Sequence, residues 1–368
     1  MSAKYEMCRR CIMDTSDPDI EFDENGVCNH CREYGKLATR YVFTGKEAEQ
    51  KLSEIVDRIK ERGKNREYDC IMGLSGGTDS TYVAYLAKKL GLRPLAVHLD
   101  NGWDTEISIR NIENILKSID LELYTYVIDW NEFRDLQLAY LKASVVDIEA
   151  ITDHAIIATW YKIANERGIK YILTGANVAT EGVMPKKWLH YKNDLTNLKD
   201  IHNQFGTVKL QTFPTLGLRK QLYYQAIKNI KSVSILNYVP YVKKDVKKLI
   251  AQELGWEDYG GKHYESVFTR FYQAYILPRK YNIDKRKAHL SSLICSSQFT
   301  REEALEEIRK DPYTEEELKK DKEYVLKKLG LAGEEFERIM SLPVKSNFDY
   351  KSEIKCLGLL RLVYRIFN

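Results

Sequence analysis

No apolar run in this 368-residue chain approaches the roughly 18 residues a helix needs to cross a bilayer. The opening residues, Met1 to Cys8, lack the apolar stretch of a secretory signal, so a cytoplasmic location is expected. Charge of one sign is not in excess: 57 basic residues against 53 acidic leave +4, far from the surplus of a dedicated nucleic-acid binder. Internal repeats and low-complexity tracts are missing. Both common nucleotide fingerprints are missing too, the Gly-x-x-x-x-Gly-Lys-Ser/Thr loop and the Gly-x-Gly-x-x-Gly turn. What remains is an ordinary globular composition, 44% hydrophobic and 30% charged, on a chain too long for one compact core. Cysteine is sparse outside one region. Cys70, Cys295 and Cys356 are scattered, whereas Cys8, Cys11, Cys28 and Cys31 crowd into the first forty residues.

Those four cysteines form two Cys-x-x-Cys pairs separated by sixteen residues, with the turn signals Asp17-Pro18-Asp19 and Asn25-Gly26 between them. In a cytosolic chain this spacing predicts tetrahedral thiolate coordination of Zn²⁺. His30 lies between ligands, but four thiolates already fill the shell. A closed shell leaves no position for substrate, so the expected role is structural. Residues 1–45 are read as this zinc module.

Beyond a helical stretch from Gly45 to Arg62, strands and helices alternate. Asp69–Leu74, Pro94–Leu99, Glu122–Ile128 and Lys170–Thr174 read as strands. Thr81–Leu90, Ile107–Ile119 and Ile151–Arg167 read as helices, with Gly91 and Gly168 at two of their C-terminal caps. That alternation predicts an α/β fold with a doubly wound parallel sheet over residues 46–215. The unusual loops all fall at strand carboxyl ends, where such sheets bind ligands. After about residue 215 strand signals fade. The amphipathic segments Lys243–Glu253, Arg301–Lys310 and Glu315–Leu329 predict a mainly helical domain over 216–368. Lys345–Asn368 carries five basic and two acidic residues and reads as a terminal helix on its own domain or on a second copy of the chain, in preference to a membrane surface.

The chemistry centres on Ser75-Gly76-Gly77-Thr78-Asp79-Ser80, between a strand and a helix. Adjacent glycines let the backbone turn tightly against a phosphate. Their amides and those of the helix N-terminus make an anion-binding concavity, to which Ser75, Thr78 and Ser80 add hydroxyls. Asp79 is out of place in a phosphate cradle unless it holds a cation, a role Mg²⁺ on the nucleotide would fill.

This motif resembles that of the PP-loop ATP pyrophosphatases, a family that includes GMP, NAD and asparagine synthetases and some tRNA thiolation enzymes. The resemblance implies attack of a substrate oxygen on the α-phosphorus of ATP, giving an adenylate and pyrophosphate. It further implies adenine near His98-Leu99-Asp100-Asn101, and a strand ending at Thr174-Gly175 whose loop carries an acidic metal ligand, for which Glu181 is the candidate.

No cysteine has the setting of a glutaminase nucleophile: position 2 is Ser, and none sits in a Gly-x-Cys-x-Gly elbow. In the C-terminal half, Tyr259-Gly260-Gly261-Lys262-His263-Tyr264-Glu265-Ser266 is followed by Arg270, Pro278-Arg279-Lys280, Asp284-Lys285-Arg286 and His289-Leu290-Ser291. With the cysteine pairs, these stretches resemble the N-acetyl sugar amidotransferase family of bacterial surface-polysaccharide (O-antigen, lipopolysaccharide) and nonulosonic acid biosynthesis, from Cys8 to about Arg301. That resemblance implies conversion of an acetamido group on a nucleotide-linked or related sugar to an acetamidino group. Ammonia would come from a separate glutaminase of the class I type found in histidine biosynthesis. From residue type, Lys262, Lys285 and Arg286 are candidates to neutralise phosphate charge, and His263 or Glu265 to remove the ammonium proton. The alternatives are a PP-loop tRNA sulfurtransferase and a non-enzymatic ATP-sensing zinc adaptor.

Overall fold

The computed structural model describes residues 5–261 and 264–354. Lys262, His263, Cys356 and most of the expected terminal helix lie outside them. Five parallel strands form the sheet: β1 Cys70–Gly73, β2 Pro94–Asp100, β3 Leu123–Val127, β4 Tyr171–Thr174 and β5 Lys231–Ser234, in the order β3-β2-β1-β4-β5. The order reverses between β1 and β4, so the chain's switch point lies at their carboxyl ends.

Both faces of the sheet are covered, which is why its central strands are continuous apolar runs. Successive residues of β1 serve opposite faces. Cys70 and Met72 pack with Val83, Ala87, Ile112 and Ile250 from the helices Thr78–Lys89, Glu106–Ile119 and Lys243–Leu254. Ile71 packs on the other side with Val97, Ile172, Ala158 and Tyr161, the last two from the helix Ala150–Glu166.

Two elements differ from the sequence reading. β5 extends the sheet past residue 215, where strand signals were expected to have faded. Its sequence Lys-Ser-Val-Ser is half exposed at the sheet edge and offers only Val233 as an apolar residue. The helix Trp130–Ala143 was also not anticipated; Asp129 caps it, and Ser144 closes it in the left-handed region at φ 59°. The C-terminal half is helical as expected, and among the described residues it adds only isolated bridges beyond β5.

The largest core joins the parts of the chain. Trp103 and Phe133 from the sheet half meet Phe268, Phe271, Tyr272 and Phe336 from the C-terminal half, and the same cluster takes in the four N-terminal cysteines. One helix, Lys285–Cys295, bridges the cysteine module and the sheet half. Ser291 Oγ accepts from Ile12 N–H (3.3 Å), Lys287 pairs with the buried Asp14, and Ser292 Oγ accepts from Val183 N–H (3.0 Å). Nearby, Arg301 donates to the Cys11 and Cys8 carbonyls at 3.1 and 3.2 Å.

The close layering of sheet and helix depends on Gly73, where a Cβ would lie 2.1 Å from Cζ2 of Trp160. Gly73→Ala is therefore expected to displace that indole and cost about 1–3 kcal/mol. A fall in the urea midpoint at unchanged slope would register the loss.

Candidate active site

The loop after β1 is built by close approach of backbone. Gly76 has φ +74°, and a Cβ there would fall 2.4 Å from the Ser108 carbonyl oxygen. That carbonyl belongs to the helix Glu106–Ile119, so the loop turns hard against the neighbouring helix and only glycine fits. Trp256 Nε1 (2.9 Å) and Asn111 Nδ2 (3.3 Å) donate to the Gly76 carbonyl and fix the turn from behind. Ser75 and Ser80 hydroxyls lie 3.2 Å apart across the loop, and Ser75 Oγ accepts from Gly77 N–H at 3.3 Å. Gly77 is the N-cap of the helix Thr78–Lys89, whose first amides point outward. The Thr78 N–H donates to the Tyr259 hydroxyl oxygen at 3.3 Å, so the loop already receives an oxygen where an anion would dock.

Asp79 does not face the cavity that the loop borders; Ser75 and Ser80 do. The Asp79 carboxylate accepts the Tyr241 hydroxyl proton, and Gly175 packs on it, a Cβ at that glycine falling 3.0 Å from the Asp79 Cβ. Burial, then the charges of Asp79 and Glu181, push the Tyr241 phenol up, so both carboxylates are felt at one hydroxyl. Glu181 ends the short helix Val178–Glu181 and lines the cavity. Glu265 lies near Gly77, its Oε1 3.5 Å from where a Cβ on that glycine would stand. Carboxylates so close to a phosphate-binding loop suit a hard divalent cation, which satisfies them and a polyphosphate together.

At the end of β2, His98 is fixed from both sides: Nδ1 is 2.9 Å from the Leu74 carbonyl and Nε2 is 3.1 Å from Asp104 Oδ2. Both neighbours are acceptors, an arrangement that only the doubly protonated ring satisfies in full. Burial opposes this, but the hydrogen bonds to Asp104 and Leu74 prevail and raise the His98 pKa. His98 lines the main cavity, whereas Asp100 accepts from Gly102 N–H (2.9 Å) and borders a smaller adjoining pocket of about 360 Å³.

The main cavity measures about 870 Å³ and runs from the loop to a wall contributed by the C-terminal half. Residues 103–105 and 265–267 pair side by side, with Thr105 N–H to Glu265 O and Val267 N–H to Trp103 O both at 2.9 Å; this pairing sets Glu265 against the loop. Of the C-terminal candidates, Glu265 and Lys285 line the cavity, along with His289. Arg286 does not. Its guanidinium is held by Asp284 (2.7 Å) and by the carbonyls of Lys310 (2.6 Å) and Ile308 (3.3 Å), so the expectation that it neutralises phosphate is corrected. Neighbours on a helix point about 100° apart, and Lys285 takes the inward direction.

Sequence reading missed the acidic wall. Asp147, Glu149 and Asp153, from the mostly apolar stretch Val145–Ile157, line the cavity with Lys192. Charged residues recurring in such a run were the available signal. Tyr241 and Trp256, and the contact of Tyr259 with the loop, were missed for a different reason: aromatic residues carry no local mark of contact with a distant loop.

The four cysteines are fully buried, and their sulfurs lie within 4.8 Å of one another. Cys8–Cys31 and Cys11–Cys28 sulfur separations are 3.9 and 3.6 Å. A tetrahedron with Zn–S bonds of about 2.3 Å has edges of about 3.8 Å, so the donor set fits. Backbone N–H groups of Cys11 (3.4 Å) and Cys28 (3.3 Å) point at Cys8 Sγ. Cys295, expected to be isolated, lies 3.7 Å from Cys31 Sγ. No helix among the described residues is long and apolar enough to cross a membrane.

Two families match parts of the chain. Residues 50–182, which carry the loop and Glu181, match the family described as NAD synthase. Residues 265–362 match "LPS biosynthesis protein WbpG-like, C-terminal domain". Among curated proteins, tRNA(Ile)-lysidine synthase from Chlamydia muridarum is 26% identical over 170 residues, covering 46% of this chain and 50% of that protein. The glutamine-hydrolysing GMP synthase from Pyrobaculum aerophilum is 38% identical over 76 residues, covering 20% and 15%. The matches thus span half or less of these relatives' length. Similar solved structures include an NH3-dependent NAD synthetase from Campylobacter jejuni, with 18% identity, a TM-score of 0.29, and 58% of this chain and 87% of that one covered. Another is an NMN synthetase from Francisella tularensis, with 19% identity, a TM-score of 0.30, and 62% and 93% covered.

Gly76→Ala adds a methyl group where the backbone favours glycine and a carbonyl stands in the way. ATP binding is expected to be lost in this variant, which isothermal calorimetry would register as the absence of a saturable heat.

Proposed function

We propose that this protein is an ATP-dependent C–N ligase that adenylates the acetamido oxygen of an N-acetylated sugar and adds ammonia to form an acetamidino group, in surface-polysaccharide biosynthesis. One observation carries the reading. A single cavity has a phosphate-loop end, Ser75 and Ser80, and a wall built by Glu265, Lys285 and His289 from the segment that matches the lipopolysaccharide-biosynthesis family.

In this reading the loop amides and the Ser75 and Ser80 hydroxyls hold the β- and γ-phosphates. His98 is held beside the loop by its two hydrogen bonds, which favour its charged form. Glu181 and Glu265 line the cavity and would hold Mg²⁺, which would neutralise phosphate charge, while Asp79 adds negative charge from behind the loop. The amide oxygen attacks the α-phosphorus, and pyrophosphate departs. An unactivated amide is a poor electrophile, and adenylation gives its carbon a leaving group. Ammonia then adds, and AMP leaves. The wall orients the sugar against the nucleotide end of the cavity. Sulfur transfer is less well served, because Cys70 is buried within β1 and its thiol is pushed up by burial, while Cys295 packs on the cysteine cluster. The ammonia source is a separate glutaminase, the location is cytoplasmic, and the four-cysteine site holds structural zinc.

Purified protein with ATP, an N-acetylated nucleotide sugar and ammonium salt is expected to yield AMP and pyrophosphate, faster as pH rises and free NH₃ increases. Glutamine alone should not serve. Appearance of ADP and phosphate in an ³¹P spectrum would refute the adenylation step. Asp79→Ala and Ser80→Ala should each lower turnover at least tenfold while leaving the circular dichroism of the fold intact.

For the metal, elemental analysis is expected to find one zinc per chain. Cys28→Ser should lose it and lower the melting temperature, because the bridging helix loses the module it packs against. Iron with visible absorption would contradict the assignment.

A further inference from the structure

The far end of the cavity carries an unbalanced charge. Among the described residues lining it, Asp147, Glu149 and Asp153 are matched by two lysines, Lys192 and Lys285. Asp147 is fully buried; its Oδ2 accepts from His190 N–H at 2.8 Å and from Lys192 Nζ at 2.6 Å, while its Oδ1 has no partner among the described residues. Lys192 also reaches Asp153 at 2.9 Å. Glu149 Oε2 accepts from Thr269 Oγ1 at 2.7 Å, and its Oε1 is shut off from solvent without a partner; Thr152 Oγ1, in the same wall, is likewise unpartnered. Two carboxylate oxygens therefore lack donors, and one hydroxyl lacks any partner, in a pocket short of one positive charge when every carboxyl is ionised. A small monovalent cation with several N–H donors meets both demands.

We propose that this end of the cavity binds ammonium and that Glu149 is the catalytic base that takes its proton. The proposal rests on the ligase reading above and names its nucleophile site. The Glu149 carboxylate removes one proton from NH₄⁺, freeing the nitrogen lone pair. That pair forms the C–N bond at the imidate carbon of the adenylated amide. The C–O bond to the adenylyl group breaks with its electrons going to AMP, and the added nitrogen sheds one further proton to the departing phosphate or to water, leaving an amidinium.

The surroundings suit a group that must cycle its proton. Burial raises the Glu149 pKa to about 7; Asp153 and Asp147 push the same way, against the Thr269 hydrogen bond and the Lys285 charge. Burial and the Lys192 charge depress Lys285, against the pull of Asp147, Asp153 and Glu149. Tyr272, 5.5 Å below the Lys285 ammonium, stays protonated through burial and these same carboxylates, and His289 and Glu265 complete the titratable groups of the wall. Between about pH 4.5 and 7 the folded protein keeps a Glu149 proton that the unfolded chain has lost. Its contribution to stability therefore falls as pH rises through that window.

The test uses the full chain and Glu149→Gln. Calorimetry with ammonium chloride should show saturable binding that strengthens severalfold from pH 6 to pH 8, and no such gain in the variant. In ammonia-dependent AMP release, kcat/KM for ammonium should fall by about 10²- to 10⁴-fold, and the limb near pH 7 should vanish. Glu149→Asp should recover part of both. The melting temperature of Glu149→Gln should exceed the parent's by more at pH 8 than at pH 5.5, which also reports that the variant folds. Ammonium binding without turnover of any N-acetylated sugar would refute the ligase reading and leave the pocket standing. Turnover whose rate and pH profile ignore Glu149→Gln, or potassium bound as tightly as ammonium, would overturn the ammonium site.

Discussion

Everything at the candidate site depends on how closely backbone is allowed to approach backbone at the carboxyl ends of β1 and β4. Gly73 admits the Trp160 indole, Gly76 admits the Ser108 carbonyl, and Gly175 admits Asp79. A Cβ at Gly73 or Gly76 would stand 2.1 or 2.4 Å from its neighbour and force the layers apart, and one at Gly175 would press on Asp79 at 3.0 Å. With them together, the loop amides, the Ser75 and Ser80 hydroxyls and the Glu181 carboxylate occupy one rim. The sheet supplies the rigidity, since its central strands are buried on both faces and cannot shift without opening two cores.

The second organising element is the helix Lys285–Cys295, which has no free face. It presents Lys285 and His289 to the cavity, and Leu290 and Ser291 to the cysteine module around Ile12; Ser292 accepts from the Val183 amide. The module thus acts on the cavity wall at one remove. Its four sulfurs lie outside the cavity lining, yet the position of Lys285 relative to Asp147 and Glu149 depends on where that module seats the helix.

What could be read in the sequence was what is local. The loop declared itself because six consecutive residues make it, and β1, β2 and β4 because strands buried on both faces are short apolar runs. β5 escaped notice because an edge strand need not be apolar. Lys285 and Arg286 looked equivalent in composition, but adjacent helical positions face different surroundings, and only one reaches the cavity. Lys192 meets Asp147 and Asp153 from a separate segment, and no spacing rule links it to them. The Tyr259 hydroxyl on Thr78 N–H is less legible still, since 181 residues separate the two.

The seat of the cysteine module has a consequence for the order in which the protein can be made. Ile12 bonds to Ser291, 279 residues later in the chain, and Arg301 reaches back to the Cys8 and Cys11 carbonyls. At typical synthesis rates of about 5–20 residues per second, the ribosome needs roughly 15–55 seconds to supply those partners. Throughout that interval the two Cys-x-x-Cys knuckles are outside the ribosome with nothing to shield them. A nascent chain in this position relies on early metal capture to keep four thiols from oxidising or pairing wrongly. The zinc expected there would then serve as a protecting group during translation before it becomes a structural one.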